Sequence, residues 1–164
     1  MTTMTTTVFD PKRLRHVYGA FPSGVTAVAA IVGGAPVGIT ASSFTSVSLD
    51  PPLVAFCIAH TSTTWPVLNA APRLGISFLS AKQERAGRQL AGRHGDRFAD
   101  LSWRVTGEGA VLLDGAVGWL ETSVEQQLRA GDHDIVVLRV HDLDADHGVS
   151  PLVFHASQFR RLEP

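Results

Sequence analysis

Three short segments of this sequence place small polar side chains beside predicted strand ends. The first runs from Gly38 to Pro52 and contains four serines and two threonines. Small side chains allow a flat heterocycle to approach the backbone, so that N–H groups and hydroxyls can meet ring carbonyls and ring nitrogens. A serine-rich turn that bonds only within itself is the alternative interpretation.

The second segment, His60 to Trp65, follows a buried strand and precedes a predicted helix. Free N–H groups at a helix start, together with the hydroxyls of Ser62 and Thr63, favour an anion such as a phosphate. Simple capping of the helix by Ser62 or Thr63 is the alternative.

The third segment is Gly131-Asp132-His133-Asp134, at the turn of a predicted hairpin. Its imidazole is a candidate for contact with a bound ligand, and a hydrogen-bonded turn residue is the alternative. Side chains alternate between the two faces of a strand, so we expect Asp132 and Asp134 to point away from His133 and not to pair with it.

The composition narrows the class of protein. With 164 residues, 45% hydrophobic and 18% charged, the chain is expected to form one folded domain over residues 10–164 after a disordered tail at residues 1–9. A net charge of −1 argues against nucleic acid and membrane surfaces as partners. Cys57 is the only cysteine, which excludes an intrachain disulfide and a Cys-based zinc site; with an N-terminus unlike a signal peptide, this predicts a cytoplasmic protein.

Strands outnumber helices in the predicted order of elements. Short helices are expected at Asp10–Gly19, after Ser62 or Thr63 so as to include Trp65, Val67 and Leu68, and from a capping box at Ser80 and Gln83 to Ala91. Strands are expected at Val25–Val32, Pro36–Ile39, Thr45–Leu49, Leu53–Ala59, Arg73–Leu79, Val117–Leu128, Ile135–Leu143 and Leu152–Phe154. Because the connections are too short for repeated crossover helices, the pattern predicts a mainly β protein, an antiparallel barrel with a few short α-helices.

Two other motifs indicate ordinary turns. Gly107-Glu108-Gly109 begins like a dinucleotide-binding fingerprint, but Leu112 occupies the position of the third glycine. The acidic stretch from His141 to His147 lacks the glycine and the glutamate that a calcium loop requires. We therefore predict no metal site and expect a bound organic cofactor to carry any chemistry.

Taken together, the three segments resemble the short-chain flavin reductase family, the reductase components of two-component flavin-dependent monooxygenases. The resemblance is collinear from about Asp10 to Leu162. It also includes Phe21-Pro22-Ser23-Gly24-Val25, Arg97-Phe98 and Pro151-Leu152-Val153-Phe154. It implies a flavin-binding, Greek-key split β-barrel that forms homodimers.

The resemblance also implies roles for individual residues. His133 would meet the nicotinamide as the catalytic residue, and Trp65 would pack behind a phosphate-binding turn. The other residues expected to contact flavin are Thr40, Ala41, Ser42 and Ser43 along the isoalloxazine, Ser62 and Thr63 at the phosphate, and Ser48, Ala59, Lys82 and Phe98 elsewhere in the site.

Two features leave the flavin contacts open. Lys82, Arg85 and Gln89 share one helical face, which either reaches a phosphate or is only solvated. Gly75-Ile76-Ser77 and Leu90 depart from the family pattern, where asparagine and an aromatic residue are common. The choice between FAD and FMN therefore stays open.

The implied activity is hydride transfer from NADH or NADPH to FAD or FMN, after which reduced flavin leaves for a separate monooxygenase. A non-catalytic flavin-binding protein of the same fold would need no nicotinamide contact, so the third segment favours the enzyme. An oxidase of the pyridoxamine phosphate oxidase type would need a basic cluster near the ring. The sequence around Thr40 and His133 predicts no such cluster.

Overall fold

The computed structural model describes residues 7–163, and its elements follow the predicted order closely. In chain order they are α1 (Pro11–Gly19), β1 (Ser23–Gly24), β2 (Thr26–Val32), β3 (Ala35–Ala41), β4 (Thr45–Leu49), β5 (Pro52–Ala59), α2 (Trp65–Leu68), β6 (Leu74–Phe78), α3 (Glu84–Ala91), β7 (Trp103–Val105), β8 (Val111–Leu113), β9 (Gly118–Ala130), β10 (His133–Ala145), β11 (Leu152–His155) and β12 (Gln158–Arg161). A turn of 3₁₀ helix, Ala81–Gln83, leads directly into α3.

The N-terminal helix begins where the sequence predicts it. Asp10 is the N-cap, and its carboxylate accepts a hydrogen bond from the Lys12 N–H at 3.0 Å. Residues 7–9, from the predicted disordered tail, are exposed and have no regular structure. The rest of that predicted tail, residues 1–6, lies outside the described residues.

Seven strands form one antiparallel sheet in the order β3-β2-β6-β9-β10-β5-β4. Strand β3 also contacts β5 across the open side, which curls the sheet into a barrel that is split between β3 and β4. Several neighbours in this order are distant in sequence, as Greek-key connections require. The predicted mainly β split barrel is confirmed.

Strand β2 is buried on both faces. Its Val28 side packs inside the barrel with Phe56 and other apolar residues. Its Ala27 side packs outside the barrel, in a second cluster that includes Leu90 of α3. A strand covered on both faces is apolar at nearly every position, which explains the continuous run in the sequence.

The β7–β8 hairpin, which the sequence analysis did not predict, contains the glycines of Gly107-Glu108-Gly109 in its turn. This hairpin lies directly on β6. A side chain at Gly75 would overlap the Val111 carbonyl, and the Ser77 hydroxyl accepts the Leu113 N–H at 2.9 Å. Gly75-Ile76-Ser77 therefore departs from the family pattern in a segment that packs this hairpin against the sheet.

Residues 7–163 offer neither a cluster of metal ligands nor a helix suited to cross a membrane. Within this range, no group of three or more His, Cys, Asp or Glu side chains is placed to hold a metal ion. No helix in the same range has both the length and the apolar composition needed to cross a bilayer.

Candidate active site

Two adjoining cavities form a groove between β3, the end of β5, α3 and the β11–β12 hairpin. The narrower cavity, of about 370 Å³, is lined by Val25, Thr40, Ser42, Arg88, Ala91, Phe154 and Phe159. The wider cavity, of about 680 Å³, is lined by Ile39, Thr40, Ile58, Ala59, Thr61, Ser62, Thr63, Thr64, Leu90, Ala91, Arg93 and Arg97. Thr40 and Ala91 line both, so the two cavities adjoin there.

The first segment contributes unequally to the groove. The Thr40 hydroxyl donates to the Gly87 carbonyl at 2.7 Å, which ties β3 to α3 at the junction of the two cavities. Ser42 is exposed at the narrower cavity, whereas Ala41 is buried. Ser43 lies against β5, where its hydroxyl accepts the Cys57 N–H at 2.8 Å and donates to the Cys57 carbonyl at 3.2 Å. The Ser43 hydroxyl is thus already occupied by backbone groups.

The second segment lines the wider cavity together with two arginines. The Arg97 guanidinium donates to the Thr64 hydroxyl at 2.9 Å and to the Gly38 carbonyl at 3.1 Å, both through Nη1. Arg93 lines the same cavity. Hydroxyls and guanidinium groups facing one space are the donors that a phosphate prefers. This end of the groove is suited to an anion.

The predicted cap of α2 is wrong by one or two residues. The helix begins at Trp65 with Thr64 as N-cap, rather than Ser62 or Thr63. The Ser62 hydroxyl nevertheless accepts the Trp65 N–H at 3.1 Å. The Thr64 side chain makes no capping hydrogen bond, and its hydroxyl accepts a hydrogen bond from Arg97 instead.

Trp65 lies behind this turn, buried in the barrel core. Its ring meets Phe56 edge to face, with 5.5 Å between centroids. The indole N–H donates to the Gln127 side-chain oxygen at 3.3 Å. Trp65 therefore supports the turn from inside the barrel.

The third segment lies beside the end of β5 and lines neither cavity. His133 pairs in register with Ala59, which lines the wider cavity. Its Nδ1 lies 2.6 Å from Oδ1 of Asp132, so the expectation that these residues do not pair is wrong. Strand alternation does not apply, because Asp132 belongs to the two-residue turn Gly131–Asp132 between β9 and β10.

This pairing fixes the chemistry of the imidazole. The hydrogen bond from His133, and then the charge on its ring, lower the pKa of Asp132 below its ordinary value. A carboxylate only accepts, so Nδ1 of His133 carries the hydrogen. In the neutral ring, Nε2 is then left as an acceptor for a ligand N–H.

Of the four other residues predicted to contact flavin, only Ala59 lines the groove, whereas Ser48, Lys82 and Phe98 do not. Ala59 lines the wider cavity, whereas Ser48 is half-buried in β4, opposite Leu53 of β5. Lys82 is exposed on the 3₁₀ turn. Phe98 is buried behind the groove floor, against Gly38, where a Cβ would stand 2.8 Å from the Phe98 ring.

The helical face proposed to reach a phosphate is used for other contacts. Arg85 pairs with Asp100 at 3.4 Å, and the Gln89 amide donates to the Ala99 carbonyl at 2.7 Å. Both residues thus hold the loop after α3. None of the three residues on this face, Lys82, Arg85 and Gln89, lines either cavity of the groove.

Several groove residues escaped the sequence analysis. Arg88 donates to Glu84 at 2.8 Å and lies over the Phe159 ring, 4.7 Å from its centroid. With Arg93 and Arg97, it gives the Thr40 groove three basic side chains, so a basic cluster that the sequence around Thr40 did not predict comes from α3 and the loop after it. The Glu84–Arg88 spacing of four was the available signal.

The comparisons with known proteins agree with this geometry. Residues 18–163 match the family model described as "Flavin reductase like domain". A Rhizobium meliloti (strain 1021) protein named "Probable flavin reductase" is 43% identical over 138 residues, which are 84% of this chain. This chain spans about half the length of the curated relatives that it matches first, 44% of that protein and 58% of a second one from the same organism.

Two further matches cover most of both chains. A Rhodococcus jostii protein named "Flavin-dependent monooxygenase, reductase subunit HsaB" is 34% identical, over 94% of this chain and 80% of its own length. The solved structure of a Streptomyces globisporus NADH:FAD oxidoreductase, in complex with NAD and FAD fragments, superposes with a TM-score of 0.88. It is 38% identical and covers 97% of this chain and 98% of its own.

Proposed function

Since this chain belongs to the flavin reductase-like domain family, we propose that it is an NAD(P)H-dependent flavin reductase that supplies reduced flavin to a partner monooxygenase. The groove is the observation that carries this proposal. Its narrower part combines the aromatic rings of Phe154 and Phe159 with the small residues Thr40 and Ser42. Its wider part combines the Thr61–Thr64 hydroxyls with Arg93 and Arg97. A flat ring and a phosphate, joined in one ligand, fit this division.

The residues present suit a bound flavin, which supplies a ring that accepts a hydride from reduced nicotinamide. Arg97 is held by Thr64 and Gly38, and it would bind the flavin phosphate from a fixed position. Ser42 would offer its hydroxyl to the ring edge at the narrower cavity. Hydride transfer makes few proton demands on the protein, so these residues bind and orient rather than exchange protons.

His133 would orient the nicotinamide. Because Asp132 holds the hydrogen on Nδ1, the free Nε2 would accept a hydrogen bond from the carboxamide N–H₂ group. His133 pairs with Ala59, which lines the wider cavity, and this supports contact with a second ligand that enters above the first. His133 therefore acts as the nicotinamide contact of the proposed site.

A separate monooxygenase is the proposed consumer of the reduced flavin. The relative named as a monooxygenase reductase subunit supports this, as does the open groove, from which flavin can leave. The solved relative with NAD and FAD fragments supports NADH and FAD as reactants, with FMN and NADPH as the alternatives. Purified oxygenase would then oxidise its own substrate only when this protein, reduced nicotinamide and flavin are all present.

We further propose a cytoplasmic homodimer. Helix α1 and the residues flanking it expose large apolar side chains, including Phe9, Val17, Tyr18 and Phe21, the last with 80% of its surface exposed. Apolar surface of this extent is typical of a face covered by another protein surface. The single cysteine, Cys57, and the net charge of −1 are compatible with the cytoplasm.

The decisive experiment follows nicotinamide absorbance with each combination of NADH or NADPH and FAD, FMN or riboflavin. Flavin-dependent oxidation is the expected result. If all six combinations give no turnover while flavin still binds, the protein is a non-catalytic flavin-binding protein and the proposed activity is refuted. Light scattering that gives a monomer mass at micromolar concentration would refute the homodimer.

A further inference from the structure

His60 forms hydrogen bonds with the residues on both sides of His133, at the β9–β10 turn. Its backbone N–H donates to the Asp132 carbonyl at 2.9 Å. Its side-chain Nε2 lies 2.8 Å from the Asp134 carboxylate. The carboxylate of Asp134 is therefore tied by a hydrogen bond to the segment that follows β5.

We infer that His60 is a positioning residue for nicotinamide binding, acting through His133. This inference rests on the proposed function, and it concerns which residue holds the nicotinamide contact in place. His60 would fix the turn through Asp132 and Asp134, and the turn would fix the imidazole of His133 beside Ala59 of the wider cavity.

The position of the turn explains why it needs such a restraint. The last six residues of β9, 125–130, are all exposed, so the end of the hairpin extends beyond the barrel core. The turn itself contains Gly131, which has a φ of +64° and no side chain to pack against the rest of the protein. Strand pairing with Ala59 sets the backbone of His133, and the contacts of His60 with Asp132 and Asp134 add a restraint on the residues on either side of it.

The exposure of the two histidine–aspartate pairs distinguishes their roles. The His60 and Asp134 side chains are 34% and 29% exposed, whereas those of His133 and Asp132 are 46% and 95% exposed. A partly exposed pair contributes little to global stability. Its loss should therefore change the geometry of the turn far more than the free energy of unfolding.

The hydrogen bonds that hold Ser62 and Thr64 in the wall of the wider cavity do not involve the His60 ring. Ser62 N–H donates to the Ala59 carbonyl at 3.0 Å, and Thr64 is held by Arg97. Replacement of the imidazole should therefore leave flavin affinity intact. This separation allows the inference to be tested by comparing nicotinamide and flavin binding.

The experiment compares His60→Ala, His60→Gln, His133→Ala and the double variant His60→Ala/His133→Ala. The control is His141→Ala, which removes a histidine bonded to Ser123 at 2.7 Å on the same β9–β10 hairpin, away from the turn. We would measure the nicotinamide KM and kcat, the Kd of NAD⁺ by calorimetry, and the flavin Kd by fluorescence. Amide hydrogen exchange of residues 131–134 reports the turn without any activity.

We expect His60→Ala to raise the nicotinamide KM and the Kd of NAD⁺ by about three- to tenfold, with an unchanged flavin Kd and faster exchange in the turn. Glutamine can place an N–H near the position of Nε2, so His60→Gln should recover part of the loss. In the His133→Ala background, His60→Ala should have no further effect on nicotinamide binding. His141→Ala should match the wild-type protein in all of these measurements.

Three results would overturn the inference: multiplicative effects of His60→Ala and His133→Ala, an equal loss of flavin and nicotinamide affinity, or wild-type nicotinamide binding in His60→Ala. A wild-type protein that binds and oxidises no nicotinamide refutes the proposed function and this inference together. A wild-type protein that is active, with a His60→Ala variant equal to it, refutes the inference alone.

Discussion

Nδ1 of His133 lies 2.6 Å from the carboxylate of Asp132, the residue immediately before it in the chain. Such a contact between neighbours is open to a turn residue and a strand residue, but not to two consecutive residues of a flat strand. The turn thereby determines which nitrogen of the imidazole faces a ligand. Asp132 is consequently part of the proposed nicotinamide site.

Replacement of Asp132 should weaken nicotinamide binding. In Asp132→Ala the His133 ring loses the acceptor for Nδ1–H, so its hydrogen can move to Nε2 and block the proposed contact with the carboxamide. We expect a several-fold higher nicotinamide KM with an unchanged flavin Kd, and a smaller effect in Asp132→Asn, whose amide oxygen still accepts. The control is Asp146→Ala, just beyond the opposite end of β10, where Asp146 accepts the Gly148 N–H. Equal KM values for Asp132→Ala and wild type would contradict this role.

Replacement of Arg97 should weaken flavin binding. Arg97→Ala removes the guanidinium that Thr64 and Gly38 hold in the wider cavity, and we expect the Kd for FAD and FMN to rise by about tenfold or more. Arg97→Lys keeps the charge but loses the planar donor fork, so its Kd should be intermediate. Riboflavin has no phosphate, and its Kd should change much less. Fluorescence titration measures all three, with Arg104→Ala as control because Arg104 lies over Trp119 instead. An equal loss for riboflavin and FMN would exclude a phosphate contact.

Gly75→Ala should destabilise the fold without acting on the groove. The new methyl group would overlap the Val111 backbone, which a strand held on β6 cannot avoid by rotating a side chain. We expect the free energy of unfolding to fall by about 1–3 kcal/mol or more. Gly107→Ala, in the β7–β8 turn, is the matched control because its Cβ would meet nothing within 4 Å. Urea denaturation measures both variants, and equal midpoints would disprove the close approach of β8 to Gly75.

His141 should make stability depend on pH. Partial burial of its ring, and then the charge of Arg73, lower the pKa of His141 below its ordinary value of 6.5. The unfolded chain therefore binds a proton more readily than the folded protein, so stability is lost as pH falls through 6.5 towards the lower folded-state pKa. Between about pH 8 and about pH 5.5, the denaturation midpoint of wild type should fall more than that of His141→Gln. Parallel pH dependence in the two proteins would refute the lowered pKa.

Local sequence patterns were sufficient for most of the elements. The Asp10 cap of α1 and the capping box of Ser80 and Gln83 depend on hydrogen bonds between residues two or three positions apart. The turn at Gly33–Gly34, with φ values of +61° and +83°, needs only the conformational freedom of its own residues. By contrast, the β11–β12 turn at Ala156 and Ser157 has positive φ values without glycine, and the sequence analysis did not predict this hairpin.

Sequence analysis was sufficient to propose the segments of the site: Thr40 to Ser43, Ser62 to Thr64 and the turn before His133. It could not predict the contacts of their side chains, because the partners come from distant parts of the chain. Arg97 reaches Thr64 and Gly38, Arg88 reaches Phe159, and His60 reaches Asp134. Each of these contacts depends on strand register and on where α3 packs. Composition and periodicity report which residues are buried, but they do not report which polar groups meet across the barrel.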